Sequence, residues 1–256
     1  MKSLLRFVKK EGMEQIRSGK CILLGIIFIL LAIMNPGIAK MTPWLMETMS
    51  DSLAQAGMTV SEVTVSAMDS WTQFFKNIPM GLIVFILVES SIFTREYQTG
   101  TLVLALTKGL KRYKVVASKT IILLILWTLY YGICFGITYG YNAYFWDNAV
   151  AESLIFSVIC WWLFGIWVIT LVILFSTVGK TNIGVLGGAG GLVVISYVLG
   201  LFSKLKEYTP TLLMDGTSLI YGMEEPEAYL SAISVALVLS ICCLILSIPL
   251  FNRKQI

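Results

Sequence analysis

Residues 176–181, which read STVGKT, come closest to a nucleotide-binding motif in this sequence. A P-loop that binds phosphates has the pattern G-x-x-x-x-G-K-[ST], so a glycine must stand five residues before Gly179. Leu174 occupies that position. We therefore exclude a P-loop and interpret residues 179–182 as a tight turn between two apolar segments.

A second glycine-rich segment, GVLGGAGG at residues 184–191, does not fit the dinucleotide-binding pattern G-x-G-x-x-G, because Val193 stands where the last glycine is needed. Its glycines are instead spaced four apart, as small residues are where helices approach closely in a membrane. The pairs are Gly184 with Gly188 and Gly187 with Gly191. We predict helix packing here, against either another span of this chain or a second subunit.

Other catalytic groups are scarce. The sequence has no histidine, and its five cysteines all fall inside apolar segments. This arrangement suggests neither a disulfide framework nor a zinc or iron site. No two acids stand together within an apolar segment. We expect that the chain is not an enzyme and that it binds no metal or cofactor itself.

A role in gating or cargo binding is open for four residues in the apolar segments: Glu89, Trp161, Trp162 and Trp167. Carboxylates inside a membrane are costly and are commonly functional. Glu89 nevertheless lies six residues before Arg95, so the alternative is that it pairs with a basic residue at the membrane surface. The tryptophans either line a cavity or pack towards lipid, and each buried indole N–H needs a partner.

The elements that position these residues are membrane-spanning helices. Residues of the AVILMFWYC group make up 57% of the sequence and charged residues 13%, against about 45–50% and about 25% in soluble domains. A span needs about 20 apolar residues, and no segment alternates as a barrel strand does. We predict an all-α polytopic membrane protein in which residues 1–256 form a single transmembrane domain with six spans, at residues 21–38, 78–93, 120–141, 154–178, 183–202 and 229–251.

The basic residues predict the orientation. All nineteen except Lys40, Lys76, Lys204 and Lys206 fall on one side of this arrangement, whereas eleven of the fifteen acids fall on the other. Positive loops remain in the cytoplasm, so we expect both termini there, in agreement with an even number of spans. The net charge of +4 reflects this asymmetry and does not indicate nucleic-acid binding.

Two further helical regions are predicted outside the spans. Residues 1–20 form an amphipathic elbow helix that lies in the headgroups, or else a solvated leader, with an apolar face of Leu4, Leu5, Phe7, Val8 and Ile16. Between spans one and two we predict a helical extracellular loop with two apolar stripes, one of Leu45, Met49, Leu53 and Ala56 and one of Val60, Val63, Ala67, Trp71 and Phe74. Thr59 and Glu62 form a capping box for the second stripe. The loop either packs on the spans or contacts an amphipathic cargo.

A polar segment, SSIFTREYQTGTLVLALTKGLKRYKVVASK at residues 90–119, separates spans two and three. It contains an acid, a glycine that permits a sharp bend, a short apolar core at residues 102–106 and a basic tail. A short helix with such an apolar face can insert into a groove of a partner, while the basic residues anchor it at the headgroups. A membrane subunit that is pushed by a soluble motor needs a segment of this kind.

This segment resembles the cytoplasmic signature of ABC transporter permeases of the ABC type-2 exporter class. In that class Glu-x-x-x-Gly-Thr leads into a coupling helix, and an arginine and a lysine follow at the start of the next span. Many members also have a proline near the position of residues 107–109, which this sequence lacks. The resemblance implies that coupling to an ATPase subunit involves Glu96, Tyr97, Gly100, Thr101, Leu102, Leu104, Leu106, Arg112 and Lys119.

The resemblance also implies partners and a function. The partners are two copies of a cytoplasmic ATPase subunit that binds ATP and Mg, a second permease subunit that is identical or related, and membrane lipid. The loop and the outer helices are similar to those of permeases that export amphipathic or antimicrobial peptides from Gram-positive bacteria, including phenol-soluble-modulin-type exporters. Export of small drugs or ions is an alternative. A competing hypothesis is a non-transporting immunity or sensor protein that binds a toxin with its outer helices.

Overall fold

The computed structural model describes residues 2–48, 64–100, 102, 106–107, 111–179 and 181–254. The α-helices of these residues are α1 (Lys2–Arg17), α2 (Lys20–Thr48), α3 (Ala67–Glu89), α4 (Ser91–Thr99), α5 (Arg112–Phe145), α6 (Leu154–Val178), α7 (Asn182–Gly200), α8 (Ser203–Lys206), α9 (Gly216–Ile220) and α10 (Leu230–Arg253). Short 3-10 helices lie at Asn148–Val150, Pro210–Met214 and Pro226–Tyr229. No strand occurs among the described residues.

Six of these helices are long and apolar enough to cross a membrane: α2, α3, α5, α6, α7 and α10. The prediction of an all-α membrane protein with six spans is therefore confirmed. The most buried span is α6, which packs against α10, α7 and α5, while α2 packs against α3 and α5. The least buried is α7, whose exposed apolar side chains are suited to contact lipid.

The first span is longer than predicted. Helix α2 continues beyond residue 38 to Thr48 and passes through Pro36 and Pro43. Proline has no N–H, so the carbonyl four residues earlier loses its helical partner. For Pro36 that carbonyl belongs to Ala32, and it accepts a hydrogen bond from the Thr138 hydroxyl of α5 at 3.1 Å. This replacement is one reason why α2 tolerates a proline within the bundle.

The second span also begins earlier than predicted. The N-cap of α3 is Ser66, which forms a capping box with Asp69. Trp71 and Phe74 belong to this helix and are completely buried, because their rings pack against Phe135 of α5. Leu45 likewise lies on α2 and Ala67 on α3, so the described parts of the two predicted stripes extend the spans. The remaining positions of the stripes and their capping box lie outside the described residues: Met49, Leu53, Ala56, Thr59, Val60, Glu62 and Val63.

The helices that carry most of the basic residues meet at one end of the bundle, here called the basic end. It consists of α1, α4, the first turns of α5 and the last turns of α6 and α10. Helix α1 packs against α5 and α2, and the Lys114 ammonium donates to the Ser3 hydroxyl at 2.6 Å. Glu11 and Gln15 are buried against the bundle. Leu5 and Ile16 remain exposed, so the face of α1 that contacts the bundle is partly polar.

Candidate functional site

Lys119 is the centre of a buried group of charges at the basic end. Lys119 is only 1% exposed. Its Nζ lies 2.9 Å from Oε2 of Glu11 on α1 and 2.9 Å from Oε2 of Glu96 on α4. The same ammonium donates to the carbonyl of Ile92 at 2.9 Å. One side chain of α5 thus connects three helices.

Lys10 of α1 also binds the two carboxylates that Lys119 binds, those of Glu11 and Glu96. Its Nζ lies 2.7 Å from Oε1 of Glu96, 3.2 Å from Oε1 of Glu11 and 3.1 Å from Oε2 of Glu14. Glu11 and Glu96 are each bound by both lysines. We call Lys10, Glu11, Glu14, Glu96 and Lys119 the ion-pair node.

The node brings three carboxylates together, as a divalent metal site would. Oxygens of Glu11, Glu14 and Glu96 lie within 4.8 Å of one another. The ammonium groups of Lys10 and Lys119 occupy the space between these oxygens and neutralise two of the three charges. The arrangement therefore acts as a structural tie between helices, in which lysines take the place that a divalent cation would have.

The charges of the node are mutually reinforcing. Burial opposes ionisation of Glu96, but Lys119 and Lys10 outweigh that effect and lower the pKa of the carboxyl below its ordinary value. Burial likewise opposes protonation of Lys10, and the bond to Glu96 with the nearby Glu11 outweighs it and raises the Lys10 pKa. Both groups are charged at neutral pH.

Glu89 lies beside the node rather than in the centre of the bundle. It is 1% exposed, and its Oε2 accepts a hydrogen bond of 2.6 Å from Nε2 of Gln15 on α1. Lys20 lies 3.6 Å from the same oxygen and donates to the Ser91 hydroxyl at 3.1 Å. In the structure Glu89 thus pairs with Lys20, and a role in gating or cargo binding stays a prediction. The four acids of the basic side are thus Glu11, Glu14, Glu89 and Glu96, and all four belong to this region.

Tyr97 and Arg112 belong to the residues that the family resemblance assigns to ATPase coupling, here called the coupling set. Both bind the ends of other spans. The Tyr97 hydroxyl donates to the Ser176 carbonyl of α6 at 3.2 Å. Arg112 donates through Nη1 to the carbonyls of Phe251, Asn252 and Lys254 at 2.8, 3.1 and 2.7 Å. These carbonyls lie at the end of α10, where carbonyls lack i+4 partners, and that of Phe251 also accepts a hydrogen bond from the Lys254 N–H at 3.4 Å. Arg112 therefore caps that helix.

The remaining members of the coupling set lie where α4 ends. Gly100 has a φ of 67°, a left-handed conformation that favours glycine and stops a helix. Leu102 is helical and buried in this chain's own core, whereas Leu106 is half-buried. We expected residues 102–106 to present an apolar face to a partner. In this conformation the Leu102 side chain is not part of such a face, because it is buried within the chain itself. Thr101 and Leu104 lie outside the described residues.

The three tryptophans of α6 have different environments. Trp161 is buried and donates through Nε1 to the Met214 carbonyl at 2.9 Å. Trp162 is half-buried and donates to the Thr128 hydroxyl at 3.1 Å. Trp167 is buried, and its Nε1 has no hydrogen-bond partner within the described chain. Trp161 also lines an apolar groove of about 310 Å³ between α3, α6 and α7.

The glycines of α7 divide into two faces. A Cβ on Gly188 would lie 2.3 Å from the ring of Phe175 on α6, so α6 and α7 can pack closely only with glycine there. Gly184 donates its N–H to the hydroxyl of Thr181, the N-cap of α7. In contrast, a Cβ on Gly187 or Gly191 would meet no described atom within 4 Å. The second glycine pair therefore faces away from the described bundle.

A polar seam between α2, α3 and α5 was not predicted from the sequence. The Asn35 amide donates to the Thr138 hydroxyl at 3.1 Å and accepts a hydrogen bond from Asn77 at 2.9 Å. Asn142, one turn beyond Thr138, is completely buried, and neither amide atom has a hydrogen-bond partner in the described part of the chain. Isolated asparagines inside apolar segments are the sequence signal for such a seam.

Sequence reasoning also missed the contribution of α1. Lys10, Glu11, Glu14 and Gln15 of this helix complete the site, yet the sequence suggested only an amphipathic surface helix. A usable signal is present, because Glu11 and Glu14 are acids within a strongly basic segment. Such acids are candidates for pairing with buried lysines elsewhere in the chain.

Comparison with known families gives one match over most of the chain. The family model described as ABC-2 family transporter protein matches residues 5–206. This range includes the ion-pair node, Glu89 and the whole connection between α4 and α5. The chain matches none of the curated proteins with which it was compared.

Proposed function

Since the chain belongs to the ABC-2 transporter family and is a permease subunit of an ABC transporter, we propose that it exports an amphipathic peptide or a related amphiphile. ATP hydrolysis takes place on a separate subunit, which binds ATP and Mg. The absence of a P-loop glycine at Leu174 supports this division of labour. Two copies of the ATPase subunit act with two permease subunits, either identical or related.

The basic end is the cytoplasmic end in this proposal. The positive-inside rule supports it, because fifteen basic residues lie on the side of the sequence that includes α1, the connection after α4 and the end of α10. Both termini are then cytoplasmic, in the cell membrane of a bacterium. The ATPase docks on the connection between α4 and α5.

The ion-pair node is the observation that carries the coupling mechanism. A push on the segment after Gly100 reaches Glu96 of α4, whose carboxylate is held by Lys119 of α5 and Lys10 of α1. Buried charges that are bound on both sides resist separation, because an unpaired buried charge is costly. The three helices therefore move together, as alternating access by rigid-body motion requires.

The apolar groove between α3, α6 and α7 supports an amphiphile as cargo. Its lining includes Ile83, Trp161, Phe164, Val193 and Met214 and contains no charged side chain. Such a lining suits the apolar face of an amphipathic helix and gives a hydrated ion no compensating group. It lies in the spanning region, so an amphiphile can reach it from the membrane.

The test uses the permease together with the ATPase subunit that we expect a neighbouring gene to encode. We expect the two to co-purify and, in vesicles, to hydrolyse ATP faster when an amphipathic helical peptide is added. Glu96→Lys should abolish this stimulation, whereas Glu224→Lys, which changes a half-buried pair with Lys206, should retain it. Failure of the wild-type proteins to associate would refute the transport function. Full stimulation in the Glu96 variant would refute the coupling route.

A further inference from the structure

The apolar groove between α3, α6 and α7 is short compared with the helices that form it. Its α3 wall lies within residues 79–87 and its α7 wall within residues 186–194. At a rise of about 1.5 Å per residue, the α3 wall extends over about 12 Å. A helical cargo longer than this must therefore extend beyond one end of the groove.

Helix α4 continues the α3 wall towards the basic end. Ser90, which separates the two helices, has a φ of −55° and a ψ of −27°, as in a right-handed helix. Its N–H donates to the Ile86 carbonyl at 2.7 Å. The chain therefore passes from α3 into α4 in a helical conformation, and a displacement of α4 also acts on the α3 wall.

A hydrogen bond joins this continuation to the beginning of α7. Thr94 of α4 is 1% exposed, and its hydroxyl donates to Oδ1 of Asn182, the first residue of α7. Asn182 lies one turn before Leu186, which lines the groove. The bond therefore crosses from the α3 side of the groove to its α7 side at the basic end. We call Thr94 and Asn182 the latch.

The opposite end of the groove is held by packing instead. Phe75 precedes the α3 wall, and a Cβ on Gly216 of α9 would lie 2.3 Å from its ring. Only glycine permits so close an approach, and α9 packs against α3 there. One end of the groove is thus held by tight apolar contact and the other by a polar contact.

The latch is weaker than the ion-pair node, which holds α4 against α5 and α1. A neutral hydrogen bond adds little net stability, because water can replace it, and Asn182 is exposed. Separating Glu96 from Lys119 is far more costly, since it leaves buried charges unpaired. When α4 and α7 are displaced relative to each other, the latch therefore breaks before the node.

We propose that Thr94 and Asn182 close the apolar groove at its basic end and separate to admit a helical cargo longer than the groove. This inference rests on the proposed function, because it takes the groove as the site of the cargo's apolar face. The element that moves away is α7, the least buried span. Helices α1, α4 and α5 remain together through the node.

The first test measures access to the groove in the purified permease alone, without cargo or ATPase. Leu186→Cys is introduced after alanine has replaced the five native cysteines, and its reaction with a charged, water-soluble thiol reagent is followed. Thr94→Val keeps the shape of the side chain but removes the donor. It should raise the labelling rate about 2- to 10-fold, as the loss of one neutral hydrogen bond raises the open population. Thr94→Ser keeps the donor and should label at the wild-type rate.

Two further variants support this measurement. Asn182→Ala removes the acceptor at an exposed position and should give the same increase if Thr94→Val does not fold. Glu225→Cys, exposed at the opposite end, should react at one rate in every background. Equal labelling of Leu186→Cys with and without the latch would overturn the proposal.

A reversible cross-link tests the connection with transport. In the complex with the ATPase subunit, Thr94→Cys and Asn182→Cys are joined by a short bifunctional reagent that forms disulfides. Peptide-stimulated ATP hydrolysis should be lost and should return on reduction, whereas Asn182→Cys alone, treated identically, should keep it. Full stimulation in the cross-linked complex would refute the latch and leave the proposed function intact. A wild-type complex without stimulation would count against the proposed function instead, and the labelling test would still decide whether the latch closes the groove.

Discussion

Lys119 and Glu96 form an ion pair at 2.9 Å in which both side chains are almost completely buried. Removing two charges from water is costly, and their attraction offsets this cost only when the remaining hydrogen-bonding groups are satisfied. Here Lys119 also binds Glu11 and the Ile92 carbonyl, and Glu96 also binds Lys10. The pair is therefore part of a network whose members depend on one another.

Lys119→Met should destabilise the protein strongly. The substitution leaves the buried carboxylates of Glu11 and Glu96 with only Lys10, and breaking a buried ion pair costs about 3–5 kcal/mol. Chemical unfolding in detergent measures the loss. Lys111→Met is the control, because Lys111 is exposed in the same segment, and it should change stability by less than about 0.5 kcal/mol. Equal effects of the two variants would contradict the structural role of the node.

Acidification should weaken the ion-pair node, because the direction of the stability change follows from the pKa of Glu96. Its pKa is lower in the folded protein than the ordinary value of 4.5, so it contributes stability above that value and loses the contribution as pH falls through the folded pKa. The unfolding midpoint should therefore decrease on acidification below about pH 4.5. Lys10 has a raised pKa, so its contribution persists to pH values above 10.5.

Glu96→Gln tests whether this acid sensitivity belongs to the node. The variant cannot titrate at this position, so its midpoint should be lower at neutral pH and less dependent on pH in the acid range. Glu225→Gln, at an exposed position of the opposite end, serves as the comparison. An unchanged slope in the Glu96 variant would assign the acid sensitivity to other carboxyls.

The two faces of α7 give a matched pair of substitutions. Gly188→Ala places a methyl group 2.3 Å from the Phe175 ring and should cost about 1–3 kcal/mol through overpacking. Gly187→Ala meets no described atom within 4 Å and should stabilise the helix by up to about 1 kcal/mol. Thermal unfolding of the isolated chain distinguishes them. If Gly187→Ala lowers activity while stability rises, this face contacts a second subunit.

The polar seam gives a second matched pair. Asn35→Leu removes two hydrogen bonds and leaves Asn77 without its acceptor, so we expect a loss of about 1–2 kcal/mol in the membrane. Asn142→Leu removes an amide with no partner in the described chain and should be neutral or slightly stabilising. A larger loss for Asn142 than for Asn35 would show that a bound water or another group satisfies Asn142.

Composition and segment length were sufficient to predict the membrane class and six spans, because the bilayer demands a fixed apolar length. The ends of the spans were harder to predict. The first span was predicted to end at residue 38, yet α2 continues through Pro36 and Pro43. The Thr138 hydroxyl compensates the Ala32 carbonyl. That contact is between residues more than a hundred positions apart and leaves no local pattern in the sequence.

The candidate site, like the spans, was only partly predictable from the sequence. Glu96 and Lys119 were singled out because their spacing resembles a family signature, but their partners on α1 were not. Glu11 and Gln15 look like ordinary polar residues of a surface helix, and only the packing of α1 against α5 reveals that they are buried. The coupling assignment of this set stays a prediction until the ATPase complex is tested.

The contacts of Arg112 impose an order on biosynthesis. Its carbonyl partner at Phe251 is 139 positions later in the chain, and Tyr97 likewise lies beside the ammonium of Lys254. Neither contact can exist until the ribosome has made α10 and the final span has entered the bilayer. The proposed docking surface for the ATPase subunit is therefore completed only at the end of biosynthesis.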